Sequence, residues 1–160
     1  MKYKQNHAGF TLIELLVVIS IIGILSTLAV VSLNNARVKA RDAKRVSDIK
    51  QLQTALELYA SDKNGYPAAS DLTLGAGAGA SLSRDGGFAA TVSGTTYMGK
   101  VPSNTTPGGA DYKYNSFTSS AASTACGTAP CPWFQLSFTL EETTGSLSAG
   151  AHVADPNGIN

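Results

Sequence analysis

The most apolar part of the chain lies close to its start. From Phe10 to Leu33 there are 24 consecutive residues in which Glu14 is the only charged side chain. At a rise of 1.5 Å per residue, a helix of this length measures about 36 Å, which is enough to cross a bilayer. The pattern therefore predicts a transmembrane helix segment over residues 10–33. A carboxylate in hydrocarbon is costly unless it has a partner, so Glu14 needs a specific explanation.

After the apolar run, hydrophobic residues recur at helical spacing. Over residues 34–62 they follow steps of three and four, which places them on one face of a helix. They are Val46, Ile49, Leu52, Leu56 and Tyr59, with Ala43 and Ala55 as good helix formers nearby. We predict that this amphipathic half continues the first helix and ends at DKNGYP. Asn64 and Gly65 favour a left-handed cap there, and Pro67 cannot continue a helix.

The remainder of the chain, residues 63–160, has the pattern of short strands separated by turns. The predicted strands are FAATV, DYKYNSF, WFQLSFTLE and GSLSAGAHV, and the predicted turns are PSNTTPGG and TTG. One strand alternates strictly, with an apolar face and a second, more polar face. The apolar face is Phe134, Leu136, Phe138 and Leu140, and the other face is Trp133, Gln135, Ser137 and Thr139.

This apolar strand face has a partner in the helix stripe, which predicts the fold class. We expect an α+β fold in which a long N-terminal helix, transmembrane in its first half and amphipathic in its second, packs on a small antiparallel β-sheet head. The Gly/Ala/Ser-rich segment 74–87 is predicted to be a flexible surface loop of this head.

Charge is low and unevenly distributed. The 160 residues carry a formal net charge of +1, so bulk electrostatics give no support for a nucleic-acid-binding protein. Most Lys and Arg residues lie in the first third, including the basic cluster Arg37–Arg45. Asp42 and Asp48 interrupt this region, so we interpret it as a helix face exposed to solvent and lipid headgroups. A secretory signal is the alternative for the N-terminus, but it needs a shorter apolar core and a small-residue exit site.

The residues at the start of the apolar run form a recognisable junction. In HAGFTLIE a short basic leader ends in Gly9, the aromatic Phe10 follows, and Glu14 is the fifth residue counted from Phe10. This arrangement resembles the processing site of the type IV pilin and type II secretion pseudopilin superfamily. The resemblance implies that a prepilin peptidase cuts between Gly9 and Phe10, removes the leader 1–9 and N-methylates Phe10. It also implies a single-pass protein of the cytoplasmic (inner) membrane with its N-terminus inside, whereas a count of Lys and Arg favours the opposite orientation.

The same resemblance implies a role for Glu14 in assembly. Cleavage creates an α-amine on Phe10, and in this family that cation pairs with the glutamate of a neighbouring subunit, which offsets the burial of both charges. The implied fold is pilin-like. The implied function is a structural subunit of a type IV pilus or a type II secretion pseudopilus, which becomes an extracellular or cell-envelope filament.

Partners follow from the resemblance as well. They are the prepilin peptidase, identical subunits in a helical filament, the inner-membrane assembly platform, the assembly ATPase machinery, and membrane lipid before assembly. Two alternatives come from other classes of protein. One is a minor pilin whose head binds surfaces, DNA or cargo, and the other is an enzyme anchored by a pilin-like segment.

The rest of the helix also bears on the resemblance. Lys44–Ile49 and Asn64–Pro67 are similar to the corresponding parts of major pseudopilins. Many family members have a proline at the position of Val31, where the helix can loosen during assembly. In this chain Gly23 is the remaining weak point.

Cys126 and Cys131 are the only cysteines and lie in the turn-rich segment ACGTAPCP. We predict that they form a disulfide, because the compartment beyond the membrane is often oxidising; two free thiols are the alternative. A zinc site would need ligands besides these and His152, and the sequence shows no such cluster.

Calcium is the cofactor that the resemblance raises. Major pseudopilins often bind it in a loop that corresponds here to KVPSNTTPGGADYKY. Asn104 and Thr105 stand where acids would help, and Asp111 is the only acid nearby, whereas calcium takes six or more oxygen ligands. We therefore predict no cofactor and no metal site, with calcium as the alternative that the resemblance leaves open.

No catalytic group emerges from the sequence. His152 and Asp155 lie close together without a serine nucleophile in a recognisable motif, and Glu141 and Glu142 would face opposite ways on a strand. We interpret all four as surface polar groups and predict that the protein is not an enzyme.

Overall fold

A computed structural model of the chain describes residues 9–160. It contains one long helix, α1 (Leu12–Lys63), followed by short strands. The strands are β1 (Leu72–Thr73), β2 (Ser81–Ser83), β3 (Gly87–Ala89), β4 (Thr96–Met98), β5 (Lys113–Phe117), β6 (Trp133–Leu140), β7 (Gly150–Asp155) and β8 (Gly158–Ile159).

The chain divides into two compact units, of which the first ends at Arg37, within α1. In this unit α1 is helical through Gly23 and Val31 without a break. Hydroxyl groups inside the apolar run donate to carbonyls of their own helix, as Ser20 Oγ does to Leu16 O at 2.8 Å. Among the described residues, α1 is the one helix long and apolar enough, by length and composition, to cross a membrane.

The second unit, Val38–Asn160, holds two antiparallel sheets. The larger has the strand order β1-β5-β6-β7-β8, and the smaller has the order β3-β2-β4. In the larger sheet Tyr114 of β5 lies opposite Leu136 of β6, which lies opposite Ala154 of β7. The predicted α+β fold, with one long helix and antiparallel sheets, is confirmed.

The core of this unit lies between α1 and the larger sheet. The alternating strand β6 places its apolar face inward, since Phe134 and Leu136 are 0% exposed and Phe138 is 2% exposed. The helix side of the core is the predicted stripe, with Ile49, Leu52, Ala55, Leu56 and Tyr59 buried and Val46 partly buried. Full burial of each large apolar side chain contributes about 1.5–3 kcal/mol, so the pairing of these two faces holds the head on the helix.

The end of α1 is fixed by the residues that follow it. Asn64 adopts φ 60° and Gly65 adopts φ 153°, and the Gly65 N–H donates to Ala60 O at 3.3 Å. A Cβ on Gly65 would lie 2.8 Å from Pro130 Cβ and 2.9 Å from the Cys131 carbonyl oxygen. Glycine is therefore required here by the close approach of the cysteine loop as well as by the turn.

The segment 74–87 differs from the flexible loop that its composition predicted. It contains a single 3₁₀ turn at Gly77–Gly79 and the strand β2, and Leu74 and Leu82 are 1% and 0% exposed. Two leucines among small residues are enough to anchor it, because each can be buried against the core while the glycines form the turns.

Candidate functional site

The apolar run of the first unit is an exposed surface. Every residue from Gly9 to Arg37 is exposed, including Phe10 at 86% and Leu12 at 81%. Soluble monomers rarely expose an apolar surface of this size, and such surfaces mark sites of contact with a membrane or with another protein. The predicted transmembrane segment 10–33 lies wholly within this surface.

Glu14 is held by the first turn of α1. Its Oε2 accepts hydrogen bonds from Thr11 N at 2.8 Å and from Thr11 Oγ1 at 2.7 Å, and Glu14 N donates to Thr11 Oγ1 at 3.3 Å. This is a capping box, in which a threonine and a glutamate three residues on satisfy each other's backbone donors. This cap was not predicted, although the T-x-x-E spacing of Thr11 and Glu14 is its signal in the sequence.

The predicted processing site lies just before this cap. Most of the predicted leader 1–9 lies outside the described residues, but Gly9 and Phe10 are both exposed. A Cβ on Gly9 would have no heavy atom within 4 Å. Folding of the described chain therefore does not require glycine at this position.

The second unit contains an ionic cluster that the sequence did not reveal, made of Arg41, Asp42, Arg45 and Glu141. Arg45 Nη1 donates to Asp42 Oδ1 and to Glu141 Oε1, both at 2.6 Å, and the side chains of Asp42 and Arg45 are 0% exposed. Arg41 binds both carboxylate oxygens of Glu141, at 2.8 and 2.7 Å. The cluster therefore balances two cations against two carboxylates and joins α1 to the end of β6.

This cluster corrects two predictions. The basic cluster Arg37–Arg45 was interpreted as exposed, but Arg45 is buried and Arg41 is only partly exposed. Glu141 was interpreted as a surface polar group, but it accepts hydrogen bonds from both arginines. The periodicity of apolar residues could not predict these positions. In the first turns of α1 that belong to the second unit, the inward face carries charged side chains.

Asp48, which follows Asp42 on α1 after less than two turns, is also buried. The hydroxyl of Tyr112 donates to Asp48 Oδ2 at 3.3 Å. Burial raises the pKa of Asp48, while Lys44 and the Tyr112 hydrogen bond act in the opposite direction. This carboxylate belongs to the packing of α1 on the sheet.

The arginine contacts predict how stability depends on pH. The hydrogen bond from Arg41 is the main cause that lowers the pKa of Glu141 from 4.5 to about 2; burial opposes it, and the Arg45 contacts add to it. Because the folded-state pKa is lowered, the stabilisation is complete above the unfolded value and is lost as pH falls from about 4.5 towards 2.

We expect Glu141→Gln to reduce the free energy of unfolding by about 2 kcal/mol near pH 6, allowing for screening of the partly exposed side chain. The difference between wild type and variant should shrink as the pH is lowered towards 2. Denaturant titrations at several pH values measure it, and a difference that stays constant over this range would contradict the assignment.

Cys126 and Cys131 are joined in the structure by a disulfide with an S–S distance of 2.06 Å. Cys131 also pairs with Tyr66, since Tyr66 N donates to Cys131 O at 2.7 Å and Cys131 N donates to Tyr66 O at 2.9 Å. The cysteine loop is thereby attached to the residues that end α1.

The remaining predicted surface residues differ in their burial. His152 is 9% exposed, and its ring nitrogens contact Asn160 O at 3.0 Å and Ser148 O at 2.8 Å, so its interpretation as a surface group was wrong. Asp155 Oδ1 accepts from Asn157 N at 2.8 Å in the turn before β8. Between residues 9 and 160, no group of three or more His, Cys, Asp or Glu side chains is placed to hold a metal ion.

Comparison with known proteins bears on the junction in HAGFTLIE. The family model described as the prokaryotic N-terminal methylation motif matches residues 4–30. The chain is 48% identical over 64 residues to the type II secretion system core protein G of Aeromonas hydrophila, which covers 40% of this chain and 45% of that protein. The predicted resemblance to the pilin and pseudopilin superfamily is confirmed.

Two further relatives are a second secretion core protein and a pilin. The type II secretion system core protein G of Escherichia coli strain K12 is 45% identical over 67 residues, which covers 42% of this chain and 46% of that protein. The type IV major pilin protein PilA of Myxococcus xanthus is 32% identical over 65 residues, which covers 41% of this chain and 30% of that protein.

These matches span less than half the length of each pilin or pseudopilin relative. The relatives are named as secretion core proteins and a pilin rather than as enzymes. No solved structure matches the chain significantly.

Proposed function

We propose that this chain is a structural subunit of a type IV pilus or a type II secretion pseudopilus. The observation that carries the proposal is an exposed apolar helix segment most of which lies within the matched methylation motif, residues 4–30. Such a surface needs lipid before assembly and the helices of other copies afterwards. The higher identity to the secretion core proteins than to the pilin supports the pseudopilus.

The subunit would begin as a single-pass protein of the cytoplasmic membrane with its N-terminus inside. A prepilin peptidase would cut between Gly9 and Phe10 and methylate the new amine of Phe10. The subunit would then leave the lipid for a filament in the cell envelope or outside the cell, through the assembly platform and its ATPase. No described residue favours the alternative of a head that binds DNA, surfaces or cargo over the structural role.

Gly9→Val is expected to block processing. The described chain has space for the valine side chain, so the fold should not change. The peptidase, however, would meet a branched side chain at the cleavage site. The precursor should therefore accumulate in the membrane. The mature form, starting at methylated Phe10, should fall from nearly all of the wild-type protein to almost none. Intact-mass measurement and N-terminal sequencing of the full chain, produced together with a prepilin peptidase, provide the readout.

Gly23→Val is the matched control for this experiment. Gly23 lies in the same apolar segment, and a Cβ there also meets no heavy atom within 4 Å. The control variant should therefore be processed like the wild type. A mature N-terminus after Ser26 or elsewhere in the apolar run, or normal processing of Gly9→Val, would refute this proposal.

A further inference from the structure

The guanidinium group of Arg45 is surrounded by oxygen atoms. Besides Asp42 and Glu141, it contacts the loop before β5: Nε donates to Asn104 Oδ1 at 2.8 Å, and Nη2 donates to Thr105 O at 2.8 Å and Gly108 O at 2.6 Å. Pro107 O lies 3.3 Å from Nη2. Two carboxylates, one amide and three backbone carbonyls thus converge on one buried cation.

The loop is shaped to make this approach. Gly108 and Gly109 have φ angles of +88° and +76°. A Cβ on Gly108 would lie 2.6 Å from Glu141 Cδ, and a Cβ on Gly109 would lie 3.3 Å from Arg45 Cζ. The side-chain amide of Asn104 also donates to Gly108 O at 3.0 Å. Both glycines are therefore needed by the backbone turn and by the closeness of the ionic cluster.

This set of oxygens permits a direct test of whether calcium fits the loop. Calcium takes six to eight oxygen ligands from carboxylates, amides and backbone carbonyls, and this loop and its neighbours supply six oxygen atoms of these three types. The centre of the set, however, already holds the guanidinium of Arg45, which donates hydrogen bonds to these oxygens. A calcium ion there would meet a cation at contact distance, and Asp111, the one acid of the loop, is exposed. The residues present do not fit calcium.

We propose that Arg45 is the built-in cation of the head, and that it organises the loop 101–111 in the way a bound metal ion otherwise could. The fork of five N–H donors suits the task, because it can serve several acceptors in fixed directions while its charge is balanced by Asp42 and Glu141. The order of the loop then depends on an internal side chain and not on dissolved calcium. This inference goes beyond the filament role, and its test does not depend on assembly.

The first experiment compares the full chain in detergent micelles with millimolar calcium and with a calcium chelator. The thermal unfolding midpoint of the wild type should be the same in both within experimental error. A midpoint that rises with calcium and saturates would overturn the proposal, because it would reveal a metal site in the folded chain.

The second experiment follows hydrogen exchange in the peptide that covers the loop 101–111. Arg45→Ala should speed exchange of the loop amides roughly 100-fold, since the partners of a buried charge are left uncompensated. Lys39→Ala, which removes an exposed cation from the same helix, is the control and should leave the loop at its wild-type rate. Wild-type exchange in Arg45→Ala would overturn the proposal.

Arg45→Lys keeps the experiment decisive if the alanine variant does not fold. Lysine retains the charge but carries it on one compact ammonium group with three donors, which cannot reach all of the oxygens at once. Exchange in the same peptide should still be faster than in the wild type. An unchanged rate in Arg45→Lys would mean that the guanidinium fork does not organise the loop.

Discussion

Glu14→Val is expected to leave the subunit processed and inserted in the membrane but to leave cells with few or no filaments. The substitution makes the span more apolar, so insertion should not suffer. In the proposed filament, however, it removes the partner of the Phe10 amine. Loss of one member of a buried charge pair costs roughly 3–5 kcal/mol, and each added subunit would meet that cost.

The capping box complicates the interpretation of this variant. Valine at position 14 also removes the hydrogen bonds that Glu14 Oε2 accepts from Thr11 N and Thr11 Oγ1. Loss of the cap frays the first turn at a typical cost of about 1 kcal/mol, so Glu14→Val removes the cap and the charge pair together. Two further variants separate the two roles.

Glu14→Gln keeps the capping geometry, because glutamine serves in a capping box as glutamate does, but it has no charge to offer the amine. Thr11→Val does the reverse: it removes the capping hydroxyl and leaves the carboxylate. If the charge pair drives assembly, filaments should be scarce with Glu14→Gln and near normal with Thr11→Val. Sheared filaments and the membrane-bound subunit are quantified for each strain.

The opposite ranking, with abundant filaments from Glu14→Gln and few from Thr11→Val, would assign Glu14 to helix capping alone. Normal filament yield from Glu14→Val would mean that assembly requires neither the charge pair with the Phe10 amine nor the capping box. Cleavage of all three variants is measured in parallel, so a processing defect cannot be mistaken for an assembly defect.

The parts of the fold that sequence could predict are those governed by a single periodicity. The strict alternation from Trp133 to Leu140 fixed which face of β6 is buried, and the three-and-four spacing from Ile49 to Tyr59 fixed the helix face that meets it. Each pattern repeats over several residues, so one exception does not obscure it. The junction at Gly9 was predictable for a different reason, because several residue types must occur there in register.

The two-residue and three-residue strands could not be predicted in this way. β1, β2, β3, β4 and β8 are too short to show any alternation, and only β3 overlaps a predicted strand, FAATV. Their positions depend on neighbours distant in the chain, as in the pairing of Leu72 with Tyr114. A glycine-rich segment such as 74–87 has a composition typical of loops, and two buried leucines can still hold it against the core.

The buried ionic cluster was not predicted, because a core is normally located from the spacing of apolar residues and this cluster is made of charged ones. Asp42 and Arg45 occupy the inward face of α1, where apolar residues are expected, and their partners lie about a hundred residues away in the chain. A charged residue at such a position is normally interpreted as solvent-exposed. Only the fold brings Glu141 and the loop carbonyls close enough to compensate the charges.

Asp42 receives more hydrogen bonds than its position on a helix would suggest. Its Oδ1 accepts from Arg45 Nη1 at 2.6 Å and from Glu141 N at 3.0 Å, and its Oδ2 accepts from Glu142 N at 2.8 Å. The carboxylate therefore neutralises a buried guanidinium and also satisfies the backbone donors where β6 ends. An acceptor-only group is needed, because every neighbour it meets is a donor.

Asp42→Asn is expected to destabilise the head strongly although it changes the side-chain shape very little. The amide NH₂ would face a backbone N–H, and Arg45 would lose one of the two carboxylates that balance its charge. Breaking one member of a buried pair costs roughly 3–5 kcal/mol, which corresponds to a fall in the thermal midpoint of roughly 10–20 °C.

Asp71→Asn is the matched control, since the Asp71 side chain is 78% exposed and its ion pair with Lys113 spans 3.2 Å. An exposed pair contributes about 0–1 kcal/mol, so the control should lower the midpoint by only a few degrees. Thermal unfolding of both variants in the full chain, followed by the circular dichroism of the head's aromatic residues, makes the comparison. Equal midpoints for the two variants would mean that the cluster at Asp42 adds no more to stability than a surface ion pair.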